Sequence, residues 1–320
     1  MEQLDLFALA PDLDPAPGPL PLAAAHRERP PLLLPTGTPD QAATALSEAV
    51  TAAWHRTHPA GRLSVPLGAL AGFALISPPL QEGRTVTELM LTWDTDQIIE
   101  FAREQWRILV KVRPDLVNPL APLLLTWCGD QPLTDKEARG AADVVRAALG
   151  ADLYALTTEM VRGEVDLFGH TLTLLKAPGA RQSQAAVYTP AHMCELMNHI
   201  MGAPKEGSRV HDPTLGTGGM LRAAAAAMRE ADLDPATVTW VGNDIDELAV
   251  ACAAVNAVHW GLGRNVLFAV ADTLTEDWIP RAVAARAETM KIAQQATRMR
   301  AMVDAVRKLM GVGEEVEQMS

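Results

Sequence analysis

Cysteine is scarce: the 320 residues hold three, Cys128, Cys194 and Cys252. They form no C-x-x-C pair, which excludes a disulfide framework and offers no zinc-type spacing; a reducing compartment is expected. Aromatic residues are also few, 4% of the chain, so the core must be built from Ala, Leu, Val and Met. Positive charge is in deficit: 27 Lys and Arg stand against 39 Asp and Glu, for a net charge of −12. That excludes general electrostatic adhesion to nucleic acid, which needs clustered Lys and Arg, while leaving room for a local basic strip. No apolar run reaches the roughly 20 residues of a membrane-spanning helix. The opening Met1-Glu2-Gln3 lacks the basic start of a secretory signal. A soluble, cytoplasmic protein without membrane contact is expected.

What is present is enough apolar material, 48% of residues, to bury one large core or two small ones. Residues 1–40 carry prolines at 11, 15, 17, 19, 21, 30, 31, 35 and 39. That density blocks helix interiors and sheet ladders, so this segment reads as a tail with polyproline tendency. Residues 41–178 read as a mostly helical domain. Helical patterns cover 41–57, 85–113, 116–127, 134–149 and 151–163, with Thr134 and Glu137 spaced as a capping box. The apolar stretch Leu63–Ile76 reads equally as a strand pair or a buried segment. Over 179–278 the period changes: a helix at 190–201, strands at 209–211, 237–242 and 266–270, and helices at 220–231 and 246–258 between them. Such alternation marks a parallel, doubly wound α/β sheet. Residues 279–320 hold one long basic amphipathic helix, to about 310, and a tail.

The most informative run is His211-Asp212-Pro213-Thr214-Leu215-Gly216-Thr217-Gly218-Gly219-Met220-Leu221, set between a strand and a helix. Glycines let the backbone adopt positive φ and pass close to a ligand, and the next helix offers free N–H groups. The run is neither the G-x-G-x-x-G dinucleotide fingerprint nor a P-loop, which needs Lys-Ser/Thr. An acid before the turn suits a cationic amino-acid ligand. Asp244 and Asp272 fall at the ends of the next two strands. The first could accept two ribose hydroxyls, and the second an exocyclic adenine amine. Each acid alone reads as a helix cap. Three at successive strand ends beside a glycine turn read as a nucleoside site.

These residues resemble the N6-adenine DNA methylase family, most closely the modification subunits of type I restriction systems. The resemblance rests on Tyr188-Thr189-Pro190, on Asp212 through Leu221, on Gly242-Asn243-Asp244-Ile245-Asp246 with Asn256 and Gly261 downstream, and on Ala271-Asp272-Thr273-Leu274. Asp166-Leu167-Phe168-Gly169 is similar to the segment leading into that family's Tyr-Thr-Pro. The resemblance implies a shortened Rossmann-like core that binds S-adenosyl-L-methionine, preceded by the helical domain. It implies that Tyr188, Thr189 and Pro190 flank the methionine end and that Asp212, Pro213, Gly216, Thr217, Gly218 and Gly219 hold the amino-acid part. Asp244, with Asp246 beside it, would serve the ribose and Asp272 the adenine. It further implies DNA as substrate and a specificity or second methylase subunit as partner.

The family's Asn-Pro-Pro-Phe or Asp-Pro-Pro-Tyr tetrapeptide, which holds a target amine on a flipped base, does not follow Asp272. The nearest match lies upstream, Ser77-Pro78-Pro79-Leu80, and supplies the candidate catalytic residues Ser77, Pro78 and Pro79. Two outcomes stay open: adenine-N6 methyl transfer with the missing loop supplied, or a methylase-like accessory protein that binds without catalysing. A methyltransferase on another substrate is a third. Two further segments carry expectations. Gln3-Leu4-Asp5-Leu6-Phe7 resembles the pentapeptide by which bacterial proteins dock on the DNA polymerase sliding clamp. The C-terminal helix sets Arg281, Arg286, Lys291, Arg298, Arg300, Arg307 and Lys308 against Glu288 and Asp304, beside an apolar stripe suited to packing on a helix. The histidines, His192, His199, His211 and His259 among them, form no metal-ligand spacing.

Overall fold

The computed structural model of the chain describes residues 34–57, 61–78, 82–176, 189 and 191–309, with side chains through 303. The Gln3–Phe7 segment, Pro79, Tyr188 and Pro190 lie outside the described residues. Among the described residues, eight helices precede the first strand's own approach helix: α1 (Pro39–His55), α2 (Ser64–Ala74), α3 (Gly83–Leu91), α4 (Thr95–Val112), α5 (Ala121–Cys128), α6 (Asp135–Gly150), α7 (Leu153–Leu156) and α8 (Leu167–Leu175). Then come α9 (Ala191–Met201), β1 (Arg209–Asp212), α10 (Gly219–Glu230), β2 (Thr239–Asp244), α11 (Glu247–His259), β3 (Val266–Val270) and α12 (Trp278–Leu309).

The ambiguous apolar stretch is a helix. In α2 every residue from Val65 to Ala74 is buried, and a helix apolar all round belongs in a core. Gly68 and Gly72, one turn apart, make it thin enough to serve there. A Cβ on Gly68 would meet the Trp127 ring at 2.1 Å, and one on Gly72 would meet Ala102 at 3.2 Å. The indoles nearby do not lose their hydrogen bonds: Trp106 Nε1 donates to the Gly68 carbonyl at 3.1 Å and Trp127 Nε1 to the Ser64 carbonyl at 3.2 Å.

Three expected helices are corrected. The pattern at 85–113 breaks into α3 and α4, because Asp94 turns extended and forms a capping box with Gln97. The pattern at 116–127 becomes a 3₁₀ turn at Pro114–Leu116 and the helix α5. The 151–163 pattern yields only the single turn α7. Asp152 enters it with φ of +57°, and Thr157 and Thr158 spend their hydroxyls on the carbonyls of Ile76 and Ala155. The Thr158 bond, within its own turn, competes with helix continuation. The expected capping box at Thr134 and Glu137 is present on α6.

The three strands form one parallel sheet in the order β1-β2-β3, with Asp212 opposite Gly242 and Asp244 opposite Val270. Parallel strands need helical crossovers, and α10 and α11 provide them. The second crossover joins the two regions. In α11 every residue from Ala249 to Ala257 is buried, and it packs on β2 and β3 as well as on α8, α5 and α2. Its Ala-Val composition keeps those layers close. One apolar core runs without a break from Ala43 on α1 to Phe268 on β3. The outer side of β3 is met by the 114–116 turn and by α12, whose Arg281 and Arg286 donate to the carbonyls of Val270 and Arg264. Farther along α12, Ile292, Met299 and Met302 are exposed. Among the described residues, no helix is long and apolar enough to cross a membrane.

Candidate functional site

The carboxyl ends of all three strands converge, as parallel pairing requires, and a set of hydrogen bonds ties their loops together. The Leu215 N–H donates to the Asn243 carbonyl at 2.9 Å, and the Gly216 N–H donates to Asp244 Oδ2 at 2.8 Å. The Ala271 N–H donates to the Asp244 carbonyl at 2.9 Å. Asn243 is fully buried, and its Nδ2 donates to the Ala271 carbonyl at 3.1 Å and to Thr273 Oγ1 at 2.6 Å. Thr273 in turn donates to the Pro213 carbonyl, closing a ring from the first loop to the third. Asn243 and Thr273 entered the sequence reading only as parts of motifs, with no role of their own. The only signal available was their position beside the two acids.

The glycine bend folds as its composition demands. Gly216 has φ of +51° and Gly218 φ of +92°, a region that L side chains rarely enter. A Cβ on Gly218 would also stand 3.0 Å from the Trp260 ring. Between them, Thr217 is buried and fixed from two sides. Its hydroxyl donates to Asp166 Oδ2 at 2.6 Å, and its carbonyl accepts from Asn256 Nδ2 at 3.0 Å. The helix α10 begins at Gly219 with no side-chain cap, so its first N–H groups are not claimed by an N-cap side chain.

The acids differ in how fully they are engaged. Asp212 Oδ1 accepts from the Thr214 N–H at 3.0 Å, and no ion-pair partner for it is among the described residues. Burial pushes its carboxyl above the usual range. The Thr214 N–H and nearby His211 partly offset this, and the neighbouring Asp244 adds to it. Asp244 takes the Gly216 N–H on one oxygen and the Asp246 N–H, at 3.0 Å, on the other. A carboxylate oxygen has two acceptor sites, so each retains one. Asp246 caps α11 by accepting from Leu248 and Ala249, and it forms an ion pair with Lys176. Asp272 Oδ1 accepts from the Leu274 N–H at 2.9 Å, within its own turn. Pro213 is exposed, as is Thr189, whose carbonyl accepts weakly from Cys194 Sγ at 3.7 Å.

Ser77 follows the helix α2 rather than a strand, and its hydroxyl donates to the Thr157 carbonyl at 2.7 Å. Pro78 comes next, at the edge of the described residues. Among the described residues no three His, Cys, Asp or Glu side chains group to hold an ion.

Residues 164–295 match the family model described as N-6 DNA Methylase. This segment belongs to the N-6 DNA methylase family. The methylase segment thus starts just before Asp166 and α8, takes in the glycine bend and all three strand-end acids, and ends within α12. No curated protein matches the chain. Among solved structures, the chain is similar to the methyltransferase subunit of a type I restriction-modification system from Streptococcus thermophilus. The two are 19% identical with a TM-score of 0.45, and the match covers 76% of this chain and 60% of that one. The chain therefore spans about 60% of that subunit's length.

Proposed function

We propose that the methylase segment binds S-adenosyl-L-methionine in the crevice bounded by Asp212, the Gly216–Gly219 bend, Asp244 and Asp272. The observation that carries this reading is Asp212: a half-buried carboxylate with a raised pKa, one backbone donor and no ion-pair partner among the described residues. Such a group is costly unless a cation completes it. An amino-acid ammonium at the strand end would do so, with its carboxylate toward the uncapped start of α10. Asp244 keeps acceptor capacity for ribose hydroxyls, and Asp272 stands at the third strand end for the adenine edge. Thr189, with Tyr188 and Pro190, is assigned to the methionine end. Asp246 is assigned to hold Asp244 through its own N–H, its carboxylate being engaged by α11 and Lys176.

The bound group would supply an electrophilic methyl on a sulfonium. What this chain supplies is a seat for it. The family's substrate is DNA and its target atom adenine N6, but no strand follows β3 among the described residues to deliver the tetrapeptide that holds a target amine. Ser77, after α2 and bonded to Thr157, remains an assignment from its Ser-Pro-Pro sequence alone. We therefore propose methyl transfer only when a second component, a specificity or further methylase subunit, completes the site. By itself the chain is a cofactor-binding member of the family. Gln3–Phe7 is proposed as a tether to the sliding clamp.

Methyl transfer from tritiated cofactor to adenine-containing DNA tests the division of labour. The chain alone should bind cofactor yet transfer no methyl. Transfer by the purified chain alone would refute it, and loss of that transfer in Ser77→Ala would then locate the missing loop upstream. Capture on purified sliding clamp should disappear on joint Leu6→Ala and Phe7→Ala substitution. Unchanged capture would remove the tether.

A further inference from the structure

The glycine bend is held by a side chain that belongs to the preceding region. Asp166 sits at the start of α8, where its Oδ1 accepts from the Gly169 N–H at 2.8 Å as an N-cap. That cap needs one acceptor, yet the carboxylate takes three donors from three elements. Oδ1 also accepts from Asn256 Nδ2 on α11 at 2.6 Å, and Oδ2 accepts from Thr217 Oγ1 at 2.6 Å. Asn256 closes the triangle by donating to the Thr217 carbonyl at 3.0 Å. The hydroxyl and the carbonyl of the residue between Gly216 and Gly218 are therefore both claimed by this pair.

Packing confirms that the approach is built. A Cβ on Gly169 would meet Asp166 Oδ2 at 2.2 Å and Thr217 Oγ1 at 2.6 Å, so only glycine lets the three come together. One residue before Asp166, the Val165 carbonyl accepts from Trp260 Nε1 at 3.0 Å, and the Trp260 ring is the surface against which Gly218 lies. The 165–169 segment thus grips the bend at two points, by Asp166 on Thr217 and through Trp260 under Gly218. A bend made of two positive-φ glycines has little shape of its own, since glycine loses the most conformational freedom on ordering. Hydrogen bonds to a charged acceptor are the stronger kind, and three converge here.

We propose that Asp166 is a positioning residue for the cofactor: with Asn256 it preorganises the Gly216–Gly218 bend. The inference rests on the cofactor reading above, and it makes the 165–169 segment a working part of the site rather than a linker to it. Preorganisation raises affinity by cutting the ordering cost of binding.

The test separates shape from capping. Asp166→Ser keeps an N-cap oxygen for α8 but is too short to reach Thr217 and Asn256. Thr217→Val removes the donor from the bend itself, and Thr217→Ser restores it. Hydrogen exchange of the ligand-free full chain, followed over residues 215–222, should quicken about tenfold in Thr217→Val, the loss of one hydrogen bond to a charged group, and at least as much in Asp166→Ser, which loses two. Thr217→Ser should exchange as the parent does. Affinity for S-adenosylhomocysteine, measured by calorimetry well below the unfolding temperature, should weaken by a similar factor in the same two variants. Unchanged exchange of the bend in both would overturn the positioning role, whatever the ligand does. A lowered unfolding temperature with unchanged bend exchange would also overturn it, leaving Asp166 a helix cap. Absence of S-adenosylhomocysteine binding by the parent chain would instead sink the cofactor reading, while the exchange result would still decide the role of Asp166.

Discussion

At the scale of single residues, the site is a set of acids held at different degrees of satisfaction. Asp212 accepts one backbone N–H and has no ion-pair partner among the described residues, and Asp212→Asn should weaken binding of a cationic cofactor by roughly 10–100-fold, the worth of a charge-assisted contact. The raised pKa gives this binding a pH dependence with a definite sign. The carboxylate must be ionised to hold an ammonium, so affinity should fall as pH drops through its raised value. Titration calorimetry across the acid range checks it, and a flat profile would remove Asp212 from the contact. His259 illustrates a partly buried residue outside the site, with its ring Nε2 shut off from solvent. It stacks on Phe168 at 5.8 Å, and its Nε2 has no hydrogen-bond partner among the described residues. Burial, with a smaller push from Arg162, lowers its pKa to about 4 from the ordinary 6.5. The folded pKa is depressed, so the unfolded chain binds the proton first as pH falls. Stability is full above about 6.5 and is lost between there and about 4, by roughly 3 kcal/mol at most. Urea unfolding at pH 7.5 and pH 5 should show the loss, and His259→Leu should flatten it. An equal loss in that variant would assign the acid lability elsewhere. The acids and the glycine bend were legible in the sequence because each obeys a local rule: an acid at a strand end, a glycine where φ turns positive. Asp166 and Asn256 were named only as parts of motifs, because their partners lie 51 and 39 residues away, in other elements.

At the scale of elements, the sequence spoke most clearly where one short-range signal sufficed. The Thr134–Glu137 capping box, the strand at Val266–Val270 and the long α12 are where the pattern puts them. Thr134→Ala should cost about 1 kcal/mol, the usual loss of an N-cap, readable as a lowered urea midpoint with unchanged slope. An unchanged midpoint would mean that the Arg62–Glu137 pair alone fixes that end of α6. The Leu63–Ile76 stretch was ambiguous because burial on all sides erases periodicity. What decides it is the pair Gly68 and Gly72 meeting Trp127 and Ala102. The 151–163 turn was misread as a helix because Asp152, Thr157 and Thr158 act through backbone contacts that a hydrophobic pattern does not record.

At the scale of the whole molecule, a helical layer and a three-stranded parallel sheet share one core across α11. The strand ends are therefore backed by the helical layer, and the glycine bend is held by Asp166 at the start of α8. The family assignment covers the sheet, its crevice and that gripping segment together. The claim beneath all of this is that the crevice seats a sulfonium nucleoside by its ammonium, its ribose and its base. Titration calorimetry of the full chain with S-adenosylhomocysteine, run beside Asp212→Asn, addresses it most directly. One saturable site in the parent, weakened by at least about tenfold in Asp212→Asn, is the expected result. No saturable binding by the parent, or equal binding by both proteins, would contradict it.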